Sequence, residues 1–390
     1  MKKTKVLYVF CAQSFSGAEI VIERLISHNP DIEPIALCAP GPFSERLAKL
    51  NIQIIEDSAL LSLEREKNKY GTWDVLKKVF LKIKNITKRL INIIKKEKIN
   101  IIHSNNIAAS FYCIPAIIIS KITFQKQKWI WSNQDLEYPN HKSFKLLAIF
   151  CSLLFNKTIA ASKAVKDKYC FFSKKTIVIY AGLSTQTFQF NPSYRNEFRA
   201  KYKLEKQKIA IGIIGVISEG KGHHILISAF KDLLSRHNNI VLIIIGRFSS
   251  AEAEYKRKIL NSLDTIPTPN RILISHIDHI HKTYSGIDIL VNCSIPSRSE
   301  PLGTTIYEAM SCERIAIASD TGGSKEIITD NEDGFLFKAG CKKDLEQKLS
   351  HIITNINEFS LLRQKARKKV IENFNINSMI RNYNFLISKL

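Results

Sequence analysis

Ile240-Val241-Leu242-Ile243-Ile244-Ile245 is an unbroken run of large aliphatic residues, five of them β-branched. A strand that is apolar on both faces is buried on both faces, as in a parallel sheet covered by helices. The same rhythm continues outward from this run. Ile209–Val216, Arg271–His276, Ile287–Asn292 and Arg314–Ser319 read as further strands, with helical patterns between them. Upstream, Val6–Phe10, Pro34–Cys38, Ile52–Ile55, Ile99–His103, Trp129–Asn133, Thr158–Ala161 and Thr176–Tyr180 repeat it. Strands alternating with helices predict βαβ units and doubly wound sheets. The charged-then-apolar start, Met1–Phe10, reads as the first buried strand.

The rhythm stops near Phe188–Lys208, where the polar stretch Asn191-Pro192-Ser193-Tyr194-Arg195-Asn196-Glu197 intervenes. A chain of 390 residues suits two domains. The expected division is an N-terminal Rossmann-like domain, 1–188, and a C-terminal one, 189–372, with a last helix, 373–390, packing back on the first. Two such sheets facing each other predict a cleft beyond the carboxyl ends of their strands, where open α/β sheets bind ligands.

Eight cysteines, none spaced as C-x-x-C, fit reduced core thiols in the cytosol. The apolar stretches around Phe111–Ile119 and Phe144–Phe155 are too short to span a bilayer. The net charge of +23 favours a polyanionic partner. Asp74–Lys98 has apolar residues at helical spacing with nine Lys and Arg between them. That pattern buries its stripe in the first domain or lies on an anionic membrane face. No nucleic-acid module or aromatic-basic interleaving accompanies the charge, so nucleic-acid binding is the weaker reading.

The residues able to carry chemistry lie just after strands. Pro296-Ser297-Arg298-Ser299-Glu300-Pro301-Leu302-Gly303-Thr304-Thr305-Ile306-Tyr307-Glu308-Ala309-Met310 follows the strand ending at Asn292. Gly303 and Thr304 mark a helix start, whose free N–H groups and dipole suit a phosphate. Glu300 is placed to reach a sugar hydroxyl and Glu308 a ribose diol. This stretch resembles the signature of the retaining glycosyltransferases of family 4, in which two Glu are separated by seven residues and the second opens Glu-Ala-Met. Glu300, Gly303 and Glu308-Ala309-Met310 match, and Leu302 stands where that family often has Phe. Gly215-Val216-Ile217-Ser218-Glu219-Gly220-Lys221-Gly222-His223 is similar to its phosphate-contacting turn. Ala318–Glu326 and Asn331-Glu332-Asp333-Gly334-Phe335-Leu336 are similar to its later turns.

The resemblance implies a GT-B fold and a retaining, metal-independent hexosyltransferase. It would take a UDP- or GDP-sugar as substrate, without a cofactor, and a glycan or lipid-linked acceptor of surface polysaccharide or lipopolysaccharide synthesis. It would work in the cytoplasm or on the inner face of the membrane. Glu300 and Lys221 become the catalytic candidates; Gly17, Gly215, Lys221, Leu302, Gly303, Thr304 and Glu308 the donor-binding ones. The Ser16-Gly17-Ala18-Glu19 loop resembles the family's first Gly-rich loop. It is not G-x-G-x-x-G, which argues against NAD. His103 and Gln134 are the acceptor-side candidates, Gln134 standing where the family has His. Val216 replaces the usual Arg of the phosphate clamp, and Arg247 or Arg298 is the available substitute. No Asp-x-Asp motif occurs, and His276, His279 and His281 are spaced as a surface turn. The competing enzyme reading is a nucleotide-sugar epimerase of similar fold.

Overall fold

The computed structural model describes residues 3–13, 17–60, 72–123, 126–136, 141–169 and 173–390. The chain divides into two compact units, 1–182 with 376–390, and 183–375.

The first unit is a seven-stranded sheet of β1 (Thr4–Val9), β2 (Ile32–Cys38), β3 (Gln53–Glu56), β4 (Ile101–Asn105), β5 (Lys128–Asn133), β6 (Lys157–Ala160) and β7 (Thr176–Val178), ordered β3-β2-β1-β4-β5-β6-β7. Every pairing is parallel. The helices are α1 (Gly17–His28), α2 (Pro42–Lys49), α3 (Thr72–Lys96), α4 (Asn106–Ile122), α5 (His141–Leu154) and α6 (Lys163–Tyr169). The chain winds outward from β1 to β3, recrosses through α3 to β4 beside β1, and continues to β7. The switch point therefore lies between β1 and β4. Ile86, Leu90, Ile93 and Ile94 of α3 are buried with Leu7, Val9, Ile102, Trp129 and Trp131 in one core. The apolar stripe of the basic helix thus faces inward from Ile86 to Ile94, while Phe80 is exposed.

The second unit has six parallel strands: β8 (Ile209–Ile214), β9 (Ile240–Ile245), β10 (Arg271–Ile274), β11 (Ile289–Asn292), β12 (Ile315–Ser319) and β13 (Phe335–Phe337). Their order is β10-β9-β8-β11-β12-β13. The helices are α7 (Pro192–Lys201), α8 (His223–Leu234), α9 (Ala253–Asp264), α10 (Ile280–Gly286), α11 (Thr304–Ser311), α12 (Ser324–Ile327), α13 (Lys342–Thr354) and α14 (Ser360–Asn373). Every residue of the Ile240–Ile245 run is buried, as its two apolar faces require. The switch point here is between β8 and β11. β13 was not expected: Phe335-Leu336-Phe337 pairs with Ile317–Ser319 where the sequence reads as a turn.

The last helix, α15 (Ile376–Ser388), belongs to the first unit and packs on α1. Tyr8 Oη donates to Tyr383 Oη at 3.0 Å, and the Tyr383 hydroxyl also meets His103 Nδ1 at 3.0 Å.

Candidate functional site

The site in the second unit grows from its switch point. Beyond β8 the chain leaves the sheet at Gly215 (φ +145°), where an added Cβ would meet no atom within 4 Å. The next strand ends against it: a Cβ on Gly246 would lie 1.8 Å from the Gly215 carbonyl oxygen. Glu219–Lys221 forms one 3-10 turn, closed by Gly222 in the left-handed conformation (φ +66°). A Cβ on Gly222 would lie 2.1 Å from the Cys293 carbonyl oxygen, so only glycine lets this turn rest on the loop after β11. The Ile295 N–H donates to the Gly220 carbonyl at 3.1 Å and secures the contact.

That close approach brings Lys221 against Glu300, with which it forms an ion pair. Ser294 Oγ donates to Glu300 Oε2 at 3.0 Å, and the Gly323 N–H holds the Glu300 carbonyl at 2.9 Å. Burial pushes the Glu300 carboxyl up, but the Lys221 charge and hydrogen bonds from Lys221, Ser294 and Asn292 outweigh it and hold it below the ordinary range. The loops after β8 and β11 thus meet at the Glu300 carboxylate, while the loop after β12 holds its main chain.

Gly303 (φ +86°) is the residue before α11. Leu302 and Gly303 are buried, Thr304 is half-buried as the first helical residue, and Glu308 lies on the helix's inner side, 6% exposed. Tyr284 Oη, from α10, donates to Glu308 Oε2 at 2.7 Å. Lys221, Glu300, Gly303 and Glu308 therefore share one end of one sheet. Val216 is exposed there. Arg247 instead hydrogen-bonds His276 Nδ1 at 3.2 Å, and Arg298 lies over Gly220. His276, His279 and His281 occupy the loop into α10 and its first turn. Among the described residues no three His, Cys, Asp or Glu side chains gather as metal ligands.

In the first unit Gly17 is the exposed first residue of α1, while Ser16 lies outside the described residues. Gln134 is half-buried just past β5. His103 corrects the expectation of a cleft residue. It is fully buried in β4, with Nε2 on Ser132 Oγ at 2.6 Å and Nδ1 on the Tyr383 hydroxyl, so neither nitrogen is offered to an acceptor. Burial drives its pKa down to about 3. Beside it at the switch point, Asn105 Nδ2 donates to Glu19 Oε1 at 3.3 Å, and burial followed by the Glu19 charge pushes the Asp135 carboxyl up to about 6. Sequence reasoning missed Ser294, Tyr284 and Asn292. The local trace in the sequence of the contact between the two loops is the pair of glycines flanking Lys221, Gly220 and Gly222.

Residues 194–373 match the model of the family described as glycosyl transferases group 1. The chain is 26% identical over 313 residues to the capsular polysaccharide biosynthesis glycosyltransferase CapM of Staphylococcus aureus, covering 76% of this chain and 78% of that protein. It is 26% identical over 201 residues to the lipopolysaccharide 1,2-N-acetylglucosaminetransferase of Salmonella typhimurium, about half of each chain. In fold it is similar to Anabaena HepE, solved in complex with UDP and glucose. The TM-score is 0.83 at 18% identity, over 99% of this chain and 100% of that one. The two Rossmann-like units are those of the GT-B glycosyltransferases, and the matches support glycosyl transfer as the activity.

Proposed function

We propose that this chain, with a group 1 glycosyl transferase segment as its second unit, moves a hexosyl group from a nucleotide sugar to a glycan or lipid-linked acceptor with retention of configuration. The observation that carries the reading is the Lys221–Glu300 ion pair at the β8/β11 switch point, one loop before the Gly303 helix start. In the reaction the bond from the sugar's anomeric carbon to the diphosphate oxygen breaks. The anomeric carbon bonds to an acceptor oxygen on the same face, and the acceptor proton passes to the leaving diphosphate.

Lys221 and the first-turn N–H groups of α11 supply positive charge where the diphosphate becomes more negative. The lysine takes the place of a metal in this reading. Glu300 accepts from a donor sugar hydroxyl and keeps Lys221 oriented. Glu308, already fixed by Tyr284, accepts from the ribose. Gly17 lets backbone amides approach the donor in this reading, and Gln134 faces the acceptor. HepE's UDP makes UDP-glucose the first donor to try, with GDP-sugars second. The S. aureus and S. typhimurium relatives support a role in surface polysaccharide or lipopolysaccharide synthesis.

Thermal stabilisation screened with UDP-, GDP- and ADP-sugars tests this. A ligand at a hundred times its Kd adds about 2.7 kcal/mol. The expected result is a shift with one base class that Glu308→Ala abolishes. NMR of the product then reads the anomeric configuration. No shift with any nucleotide sugar, or an inverted product, refutes the corresponding part.

A further inference from the structure

The inward stripe of α3 leaves a different surface to explain. Helices α3, α4 and α5 pack side by side on one face of the first unit's sheet. On α5, Leu146, Phe150 and Leu153 follow at intervals of four and three, one helical stripe, and all point to solvent; Phe150 is 58% exposed. On α4, Ile118, Ile119 and Ile122 do the same, Ile122 being 69% exposed. Large apolar side chains scattered singly are ordinary on a protein surface, but a contiguous band on neighbouring helices marks an interaction site.

The charges around the band say what it meets. Lys77, Lys84 and Lys88 of α3, Lys121 of α4 and Lys145 of α5 are exposed on the same layer. Asp74 is the one acidic residue in the sequences of the three helices. Lys175, whose Nζ donates to the Leu153 carbonyl at 2.9 Å, sits near Lys121. Burial, and after it the Lys175 charge, makes the Lys121 ammonium easier to deprotonate. Among the described residues no helix is long and apolar enough to cross a membrane.

We propose that the outer faces of α3, α4 and α5 dock this protein on an anionic lipid bilayer, the apolar band entering the headgroup–acyl boundary and the lysines pairing with lipid phosphates. The chemistry is that of an interfacial amphipathic surface, in which apolar burial and electrostatic attraction act together. The inference stands apart from the transfer reaction, because it uses neither the donor site nor any residue placed in it.

Vesicle flotation of the full chain tests it, with phosphatidylcholine alone and with added phosphatidylglycerol. The expected result is binding to the anionic vesicles, weak binding to the neutral ones, and release in about 1 M salt, where the screening length falls to about 3 Å. Lys84→Ala with Lys121→Ala should weaken binding about thirtyfold, the loss of two near-surface lysines. Leu146→Glu with Phe150→Glu should abolish it. Both double variants should keep the wild-type Tm and the wild-type thermal shift with the donor. Glu308→Ala, which tests the donor site, should leave flotation unchanged. Equal binding to neutral vesicles overturns the proposal, as does no flotation at low salt. So does a dimer in sedimentation velocity that Leu146→Glu with Phe150→Glu dissociates, since the band then covers a second copy.

Discussion

Replacing Lys221 with methionine keeps the side chain's reach and removes its charge, so the partner's response becomes readable. Glu300 is 14% exposed and Lys221 38%. Breaking a fully buried pair costs about 3–5 kcal/mol and an exposed one at most about 1. With the lysine end partly screened by water, about 1–2 kcal/mol is expected at pH 7. For a domain of this size that is a fall in Tm of about 3–6 °C.

The pH dependence is the sharper reading of the same variant. In the wild type the folded carboxyl titrates below its unfolded value. Its contribution is therefore present above the ordinary carboxylate range and lost as pH falls through the depressed folded value. In Lys221→Met the largest opposing influence is gone and burial pushes the carboxyl upward, with only Ser294 and Asn292 resisting. The variant then takes up a proton at higher pH than the wild type, and protonation relieves the uncompensated charge. The Tm difference between the two proteins should shrink by at least half between pH 7 and about pH 4. Differential scanning calorimetry at the two pH values measures it. An equal loss at both would falsify the view that Glu300 is an anion neutralised by Lys221.

Other outcomes follow from the same geometry. Glu308→Ala should remove the nucleotide-sugar thermal shift entirely, while Tyr284→Phe, which deletes one hydrogen bond to the carboxylate, should reduce it. Gly303→Ala puts a Cβ 2.7 Å from Ile306 Cδ1 at φ +86°; urea unfolding should show a loss of about 1–3 kcal/mol. His103 is neutral in the fold, with its pKa lowered from 6.5 to about 3. Its contribution is complete above about pH 6.5 and declines as pH falls toward 3, by about 2 kcal/mol at pH 5. His103→Gln should flatten the stability difference between pH 7 and pH 5 by about that amount in urea titrations.

Much of this architecture is legible in the chain because parallel strands buried on both faces need continuous aliphatic runs. Ile240–Ile245 cannot be read otherwise, and its neighbours share the pattern. β13 escapes because three residues after Gly334 carry no periodicity to separate a short edge strand from a turn. The meeting of Lys221 and Glu300, 79 residues apart, is visible only through glycines and through likeness to a known signature. Nothing local to Ser294 or Tyr284 announces a partner, since each is an ordinary residue until the loops are folded. His103 misleads for a related reason. A histidine ending an apolar strand looks poised toward a ligand, and the hydroxyls that claim its ring come from Ser132 and from Tyr383, 280 positions later.

That late hydroxyl has a consequence for synthesis on the ribosome. The second unit is continuous, 183–375, so all of its strands and helices exist before the final helix is translated. The first unit, though begun earlier, lacks α15 until the whole of the second unit has been made. Until then Tyr8 and His103 have no Tyr383, and two polar groups of the interior await their bonds. The half of the molecule made first is thereby the half completed last. A nascent chain stalled short of Tyr383 should be cut by protease in its early residues while its later half already resists.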